Sequence, residues 1–309
     1  MKTAFVFPGQ GSQYAGMGRE IAGKYPVARR AFDEVDTALP SPISQLCFEG
    51  PDESLALTEN TQPAILVTSI AVFRILQESR IQPDFVAGHS LGEYSALVAA
   101  GGLKLSDAAI LVRKRGQYMQ EAVPVGVGAM AALLGLDLRT VQAVCERAGQ
   151  GQTVSPANLN SPQQIVIAGH REAVTRAVEL AKEAGAKRAI LLQVSAPFHC
   201  RLLMPAQERL SIDVDGGVFS DLRYPLITNV DAEPIRTASE ARSALKRQVA
   251  SPVLWEQTVR RLLDEGVRTF VEVGPGRTLL GLIRSIDKSV TMLNAEDEKS
   301  VENVLSALL

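Results

Sequence analysis

A serine between two glycines is the first place where this sequence could perform chemistry. Residues 88–92 read GHSLG, which fits the pattern GxSxG where a short apolar strand is followed by a helix. A tight turn of this kind needs small residues beside the serine and exposes its hydroxyl group. The pattern therefore predicts that Ser90 is a nucleophile. The alternative is a glycine-rich helix start in which Ser90 is a capping residue.

A serine nucleophile needs a base, and the chain contains three histidines. His89 adjoins Ser90 on a sharp turn, so its side chain is not expected to point the same way. His170 is expected at the start of a helix in an inserted unit. His199 follows the segment SAPF, where the chain returns to the large unit and where an inserted domain would close over a site. We favour His199 as the base; a helix-capping or half-buried structural histidine is the alternative.

Two backbone segments could stabilise a negatively charged oxygen. The N–H group of Leu91 lies at the start of a helix, where negative charge is stabilised. The loop PGQGSQ at residues 8–13 follows the first strand, and its glycines allow backbone N–H groups to approach a ligand closely. It is not a dinucleotide-binding fingerprint, because Tyr14 stands where the third glycine is required. We interpret the loop as a candidate second oxyanion donor, although the HGGG motif of many serine esterases is absent.

A positive charge lies on the apolar face of a predicted helix. Arg115 shares that face with four apolar residues, Ala108, Leu111, Val112 and Met119. An unpaired buried charge costs several kcal/mol, so a carboxylate of the protein or of a substrate should meet the guanidinium. An internal salt bridge or a stem that reaches solvent is the alternative.

The composition excludes several classes of protein. The chain has 309 residues and a formal net charge of −2, which argues against nonspecific nucleic-acid binding. Hydrophobic residues make up 46% and charged residues 21%, as in ordinary globular proteins. No HExxH motif or CxxC pair is present, so no metal site is predicted.

The sequence also predicts a location. No apolar run is long enough for a membrane span, and the run AFVF near the N-terminus is too short for a signal peptide. The three cysteines, Cys47, Cys145 and Cys200, are widely separated and odd in number, which suits a reducing compartment. We therefore expect a cytoplasmic protein.

The elements that must position these residues alternate between strands and helices, which predicts an α/β sheet wrapped by helices. Strands are expected at 3–7, 85–88, 225–229, 268–273 and 289–293. Helices are expected from about residues 13 and 26, from Pro63 in a first helical turn to about 78, at 91–100, and from a cap at Ser106 to about 121.

Between about residues 126 and 195 the order of elements changes. The pattern predicts strand 129–134, helix 138–148, strands 153–157 and 164–168, helix 171–184 and strand 188–193. This βαββαβ order is typical of ferredoxin-like domains. We therefore expect an inserted small unit, residues 126–195, in a large unit formed by residues 1–125 and 196–309.

Six motifs resemble those of the malonyl-CoA:acyl carrier protein transacylase family, which is related to the acyltransferase domains of polyketide and fatty acid synthases. They are FPGQGSQ at 7–13, GHSLGE at 88–93, RG at 115–116, GAMAA at 128–132, FHC at 198–200 and EVGPG at 272–276. They occur in the family's order and span nearly the whole chain.

The resemblance implies an α/β-hydrolase-like large subdomain with an inserted ferredoxin-like small subdomain. It implies that Ser90 is acylated and that His199 is the general base, oriented by the main-chain carbonyl of Gln248. It further implies oxyanion donors at Gln10 and Leu91, a carboxylate-binding role for Arg115, and substrate contacts at His89, Asn158 and Phe198.

The implied reaction moves malonyl from malonyl-CoA to the pantetheine thiol of acyl carrier protein in a ping-pong sequence, with no metal or redox cofactor, in a monomeric enzyme. Three alternatives stay open. A polyketide pathway could use the product instead of fatty acid synthesis. A serine thioesterase or esterase would use water as acceptor, and usually adds an acidic residue to its triad. A noncatalytic scaffold would be expected to have lost Ser90, His199 or Arg115.

Overall fold

The computed structural model describes residues 2–194 and 196–309. The strands, in chain order, are β1 Lys2–Phe7, β2 Phe85–Gly88, β3 Gly128–Leu134, β4 Val154–Ser161, β5 Gln164–His170, β6 Arg188–Leu191, β7 Leu226–Ile227, β8 Pro234–Ile235, β9 Val267–Val273 and β10 Thr291–Ala295.

Helices surround the strands along the whole chain. They are α1 Arg19–Lys24, α2 Pro26–Ala38, α3 Ile43–Glu49, α4 Asp52–Leu55, α5 Thr58–Glu78, α6 Leu91–Ala99, α7 Leu105–Ala122, α8 Leu138–Gly149, α9 Arg171–Glu183, α10 Met204–Gly216, α11 Ala238–Gln248, α12 Trp255–Asp264, α13 Thr278–Ile286 and α14 Glu298–Leu308.

The larger sheet has the strand order β10-β9-β1-β2-β7-β8. All neighbours pair in parallel except β7 and β8. Alternate residues of β1 enter different cores: Phe5 and Phe7 pack on the side of α5, and Ala4 and Val6 pack on the other face. Burial of both faces explains the continuous apolar run of this strand. The predicted α/β sheet wrapped by helices is confirmed.

The second sheet is antiparallel, with the order β4-β5-β3-β6. Helices α8 and α9 pack against it and share an apolar core with β3, β4 and β5. The βαββαβ order and this strand order agree with the ferredoxin-like pattern expected from the sequence. Strand β4 extends to Ser161, and β6 ends at Leu191, two residues before the predicted end.

The segment just before α12 pairs with β4 of the second sheet. Val253 accepts a backbone hydrogen bond from Leu159 at 2.9 Å and donates one to Ala157 at 2.9 Å. In the larger sheet, Phe7 at the end of β1 is paired with Gly88 at the end of β2. The loops after these two parallel strands therefore lie side by side, at the carboxyl edge where α/β sheets commonly bind ligands.

Three predicted helix starts were wrong. The helix expected from about residue 13 begins at Arg19, because turns fill the preceding segment and Gly16 and Gly18 have positive φ angles of 103° and 76°. Pro63 lies inside α5, which begins at Thr58. Ser106 lies inside α7: the residue before that helix is Lys104, without a side-chain cap.

Met1 and Ser195, the last residue of the predicted insertion, lie outside the described residues, and the unit boundaries stay a prediction. Within the described ranges, no helix is both long and apolar enough to cross a membrane.

Candidate active site

Ser90 occupies a strained turn between β2 and α6. Its φ of 52° and ψ of −105° are unfavourable for a residue with a side chain. A Cβ on Gly88 would lie 1.9 Å from the carbonyl carbon of Gly92, and a Cβ on Gly92 would lie 2.0 Å from the carbonyl oxygen of Phe7. Both glycines are therefore required by close packing, and the turn has the geometry of a nucleophile elbow.

Buried amide side chains stabilise this turn. Asn229, which is fully buried, accepts a hydrogen bond from the Ser90 N–H at 2.7 Å and donates one to the Gly88 carbonyl at 2.7 Å. The Nε2 of Gln248 donates to the Ser90 carbonyl oxygen at 3.0 Å. Both backbone polar groups of the strained residue thus have side-chain partners, which offsets part of the cost of its conformation.

His199 lies against the serine. Its Nε2 is 2.7 Å from the Ser90 Oγ, and its Nδ1 is 3.0 Å from the main-chain oxygen of Gln248. Because a carbonyl oxygen can only accept, Nδ1 carries the hydrogen and Nε2 accepts from the serine hydroxyl. A main-chain carbonyl therefore orients the imidazole, at the residue that the family resemblance indicates.

Charge and burial keep His199 neutral. Burial and the nearby guanidinium of Arg115 lower the pKa of His199 to about 3, against the opposing effect of its hydrogen bond to Gln248. Near pH 7 the imidazole therefore has an uncharged Nε2 with a lone pair directed at the hydroxyl of Ser90.

The other two histidines have different partners. The Nδ1 of His170 accepts a hydrogen bond from the Thr153 N–H at 2.9 Å, on the second sheet. The Nε2 of His89 lies 2.8 Å from the Oδ1 of Asn160, and its ring centre lies 5.7 Å from that of Trp255. The structure therefore brings His199, and neither other histidine, into hydrogen-bond contact with Ser90.

Arg115 extends from α7 to the nucleophile and is 1% exposed. Its Nη2 donates to the Ser90 Oγ at 3.0 Å and to the Gln248 Oε1 at 2.9 Å. Its Nη1 donates to the Gln62 Oε1 at 2.9 Å. Neutral oxygens hold the guanidinium in place, and its charge is left to meet a negatively charged ligand.

The amide of Gln248 links Arg115 to a buried carboxyl group, that of Glu93. The Nε2 of Gln248 donates to the Oε2 of Glu93 at 2.6 Å, while its Oε1 accepts from Arg115. Burial raises the pKa of Glu93 to about 7, while Gln248, Asn229 and Arg115 act in the opposite direction. Arg115 and Glu93 therefore do not form the direct salt bridge considered from the sequence. The side chain of Gln248 lies between them and hydrogen-bonds to both.

The two expected oxyanion donors lie beside the serine. Leu91 is the first residue of α6, so its N–H has no partner within the helix and lies at the positive end of the helix dipole. Gln10 lies in the loop after β1, and a Cβ on its neighbour Gly9 would lie 2.5 Å from the His89 carbonyl oxygen. The loop is therefore packed directly on the elbow, with the Gln10 side chain donating to Thr58 at 3.3 Å.

These groups surround a cavity of about 140 Å³. Eight of the nine predicted site residues line it: Gln10, His89, Ser90, Leu91, Arg115, Asn158, Phe198 and His199. The ninth, Gln248, lies behind His199 and Arg115 through the contacts described above. Met130, Leu192 and Val194 close the side nearest the second sheet. The cavity therefore lies between the two sheets, with a charged end at Arg115 and apolar walls.

Sequence reasoning missed three polar residues of this site, Gln62, Glu93 and Asn229. Glu93 stands among apolar residues at the start of α6, which is a signal that a buried acid needs a partner. Nothing local in the sequence distinguishes Gln62 or Asn229, because their contacts with Arg115 and Ser90 join distant parts of the chain.

An elbow serine, a neutral histidine and a buried arginine in an α/β fold define a serine-dependent acyl-transferring class of enzyme. Residues 4–305 match the acyl transferase domain family. The chain belongs to this family.

Curated relatives and solved structures agree with that assignment. The malonyl CoA-acyl carrier protein transacylase of Bacillus subtilis is 49% identical over 308 residues, which cover 99% of this chain and 97% of that protein. The Escherichia coli K12 protein of the same name is 47% identical over 93% of this chain and 94% of its own length.

Among solved structures, the corresponding transacylase of Coxiella burnetii has a TM-score of 0.97 at 44% identity, covering 100% of this chain and 98% of that chain. A second structure, of a type II PKS acyl-carrier protein in complex with its malonyl-transacylase, has a TM-score of 0.97 at 44% identity, covering 99% and 100%.

Proposed function

We propose that this enzyme transfers the malonyl group of malonyl-CoA to the pantetheine thiol of acyl carrier protein through a malonyl ester of Ser90, and so supplies the extender unit for fatty acid synthesis. The observation that carries the proposal is the distance of 3.0 Å between the Arg115 Nη2 and the Ser90 Oγ. A malonyl group has one methylene between its acyl carbon and its carboxylate. Arg115 is therefore within reach of the carboxylate when the acyl carbon is on Ser90.

The first half-reaction begins with proton transfer. The Ser90 hydroxyl gives its proton to the Nε2 of His199 while Oγ attacks the thioester carbonyl carbon of malonyl-CoA. Negative charge develops on the carbonyl oxygen, which the N–H groups of Leu91 and Gln10 stabilise. The imidazolium is stabilised by the Gln248 carbonyl at Nδ1.

Collapse of the tetrahedral intermediate completes the acylation. The carbon–sulfur bond breaks, the proton on His199 Nε2 passes to the departing CoA sulfur, and the malonyl group stays on Ser90 as an ester. In the second half-reaction the pantetheine thiol gives its proton to His199 and attacks the ester carbonyl carbon. The carbon–oxygen bond then breaks, and His199 returns the proton to Ser90.

Arg115 distinguishes malonyl from uncharged acyl groups. Its guanidinium is buried and pairs with neutral oxygens, so a substrate carboxylate gains a charge-assisted, two-pronged contact in a site of low polarity. Phe198, Asn158 and His89 line the same cavity, and we assign them to contacts with the acyl chain and its carrier arm.

The proposal is supported by the relatives from Bacillus subtilis and Escherichia coli, whose names state malonyl transfer to acyl carrier protein. A thioesterase would use the same Ser90 and His199 with water as acceptor. Nothing in a hydrolysis reaction requires the inward-facing Arg115, and His199 is oriented by a carbonyl instead of the acid that such triads usually contain.

The experiment compares acceptors. The enzyme is incubated with malonyl-CoA alone, and then with carrier protein that bears its pantetheine arm. We expect free CoA to appear in one equivalent without carrier, and malonyl carrier protein to form continuously with it. Release of malonate at the same rate in both samples would establish a thioesterase instead.

We further propose that residues 1–125 and 196–309 form the large subdomain, that residues 126–195 form the small one, and that the enzyme works in the cytoplasm. The two separate sheets support the division. Expression of the enzyme with a fluorescent tag tests the location: exclusion of the tag from the cytoplasm would contradict it.

A further inference from the structure

A glutamine that no motif indicated lies in the wall of the catalytic cavity. Gln62 is in the second turn of α5, is 1% exposed and lines the cavity together with Ser90 and Arg115. A buried amide is costly unless its hydrogen-bonding groups have partners. The partners of Gln62 therefore indicate what the side chain does.

The orientation of the amide is set by Arg115. The Nη1 of Arg115 donates to the Gln62 Oε1 at 2.9 Å. A guanidinium has only donors, so the amide oxygen must face it and the amide nitrogen must face away. In the described part of the chain, Gln62 Nε2 contacts one acceptor, the Sδ of Met119 at 3.7 Å. A thioether is a weak acceptor, so the two N–H groups of this buried amide are poorly satisfied.

The poorly satisfied donor lies in the wall of the cavity that Arg115 and Ser90 also line. Met119 follows Arg115 by one helical turn of α7 and lines the same cavity. The amide nitrogen of Gln62 is therefore directed away from the guanidinium and toward Met119, in a wall of the cavity that all three side chains line. A carboxylate accepts about four hydrogen bonds, and a guanidinium alone provides two of them in a bidentate pair.

We propose that Gln62 is a specificity-determining residue, whose amide nitrogen donates a hydrogen bond to the distal carboxylate of the malonyl group while its amide oxygen holds Arg115. This inference rests on the proposed malonyl transfer. Gln62 replaces water at a carboxylate oxygen that Arg115 does not cover, and the weak contact with Met119 is given up when substrate binds. A buried donor that is poorly satisfied in the folded protein requires an explanation, and a ligand that accepts its hydrogen bond supplies one.

The role of Gln62 is tested by a nearly isosteric substitution that changes one atom of its side chain. Gln62→Glu keeps the oxygen that faces Arg115 and replaces the amide nitrogen by a carboxylate oxygen. It therefore removes the donor, pairs with Arg115 and repels the substrate carboxylate, while an acetyl group has no charge to repel. The matched control is Gln77→Glu, which makes the same change on α5 away from the cavity.

Acylation of the enzyme by malonyl-CoA and by acetyl-CoA is measured for each variant as kcat/KM for release of CoA. For Gln62→Glu we expect malonyl acylation to fall roughly 100-fold and acetyl acylation to fall less than about 3-fold. Gln62→Met, which lacks both donor and acceptor, should lower malonyl acylation roughly 10-fold or more, again with little effect on acetyl. Gln77→Glu should match the unaltered enzyme for both substrates.

Equal losses for both acyl groups in Gln62→Glu and Gln62→Met would overturn the inference, because they would show that Gln62 only supports the shape of the site. Unchanged malonyl acylation in both variants would also overturn it. Failure of the proposed function would be recognised in the unaltered enzyme, which would then form no malonyl adduct that can be transferred to carrier protein.

Discussion

The Nη2 of Arg115 donates a hydrogen bond to the Oγ of Ser90 at 3.0 Å, so the charged group that we propose selects the substrate touches the atom that we propose attacks it. The same oxygen lies 2.7 Å from the Nε2 of His199. In the free enzyme the hydroxyl is therefore positioned by two groups. When malonyl is attached, the guanidinium can exchange this contact for the substrate carboxylate without a large movement.

Loss of Arg115 should affect malonyl far more than acetyl. We expect Arg115→Ala to lower kcat/KM for acylation by malonyl-CoA roughly 100-fold or more, because a buried carboxylate loses its charged partner. Acylation by acetyl-CoA, which has no distal carboxylate, should fall by less than about 10-fold. The measurement is release of CoA with each substrate, and equal losses would show that Arg115 has only a structural role.

The pH dependence of acylation should lack a step at the ordinary pKa of histidine. His199 must be neutral to accept the serine proton, and its pKa is lowered to about 3 by burial and Arg115. The kcat/KM for malonyl-CoA should therefore stay level as pH falls from 8 through 6.5. A step near pH 7 that disappears in Glu93→Gln would belong to Glu93. A halving near pH 6.5 that persists in that variant would contradict the assignment to His199.

Glu93 should make the protein less stable as pH rises. Burial raises its pKa from 4.5 to about 7, so the folded state binds this proton more tightly than the unfolded state. The stabilising contribution is complete below pH 4.5 and is lost as pH rises through 7.

Urea unfolding of Glu93→Gln and of the unaltered protein at pH 5 and pH 8 tests this sign. The difference in free energy of unfolding, variant minus unaltered protein, should become more positive by roughly 1 to 3 kcal/mol between the two pH values. Other groups, including the buried Glu272, are common to both proteins and cancel. A difference that does not change with pH would contradict the buried, proton-binding carboxyl.

Gly92 should not tolerate a methyl group. A Cβ there would lie 2.0 Å from the Phe7 carbonyl oxygen, so Gly92→Ala must separate the elbow from β1. We expect a loss of about 3 kcal/mol or more in the free energy of unfolding, measured in urea, together with slower acylation. The matched control is Gly281→Ala in α13, where no atom lies within 4 Å and helix propensity predicts a small stabilisation.

The sequence predicted the catalytic elements because each depends on a local pattern. The elbow needs glycines at 88 and 92, and its strand and helix follow from apolar runs on each side. The inward direction of Arg115 follows from the helical period of its apolar neighbours. The small antiparallel sheet follows from the order of its elements.

The remaining features depend on contacts between distant segments. Gln62, Asn229 and Glu93 are ordinary polar residues until α5, the β7–β8 connection and α6 meet around Ser90. Pro63 was expected in the first turn of its helix, but α5 starts earlier, at Thr58, where Gly116 of α7 packs closely against its backbone. Tertiary packing of this kind overrides the local preference of proline.

The most direct test of Ser90 as the acylated nucleophile is the intact mass of the enzyme after brief incubation with malonyl-CoA, followed by peptide mapping of the adduct. We expect the mass to increase by one malonyl group that is located on Ser90, is absent from Ser90→Ala and is removed when carrier protein with its pantetheine arm is added. An adduct retained in Ser90→Ala, or located on another residue, would contradict the assignment of Ser90 as the nucleophile.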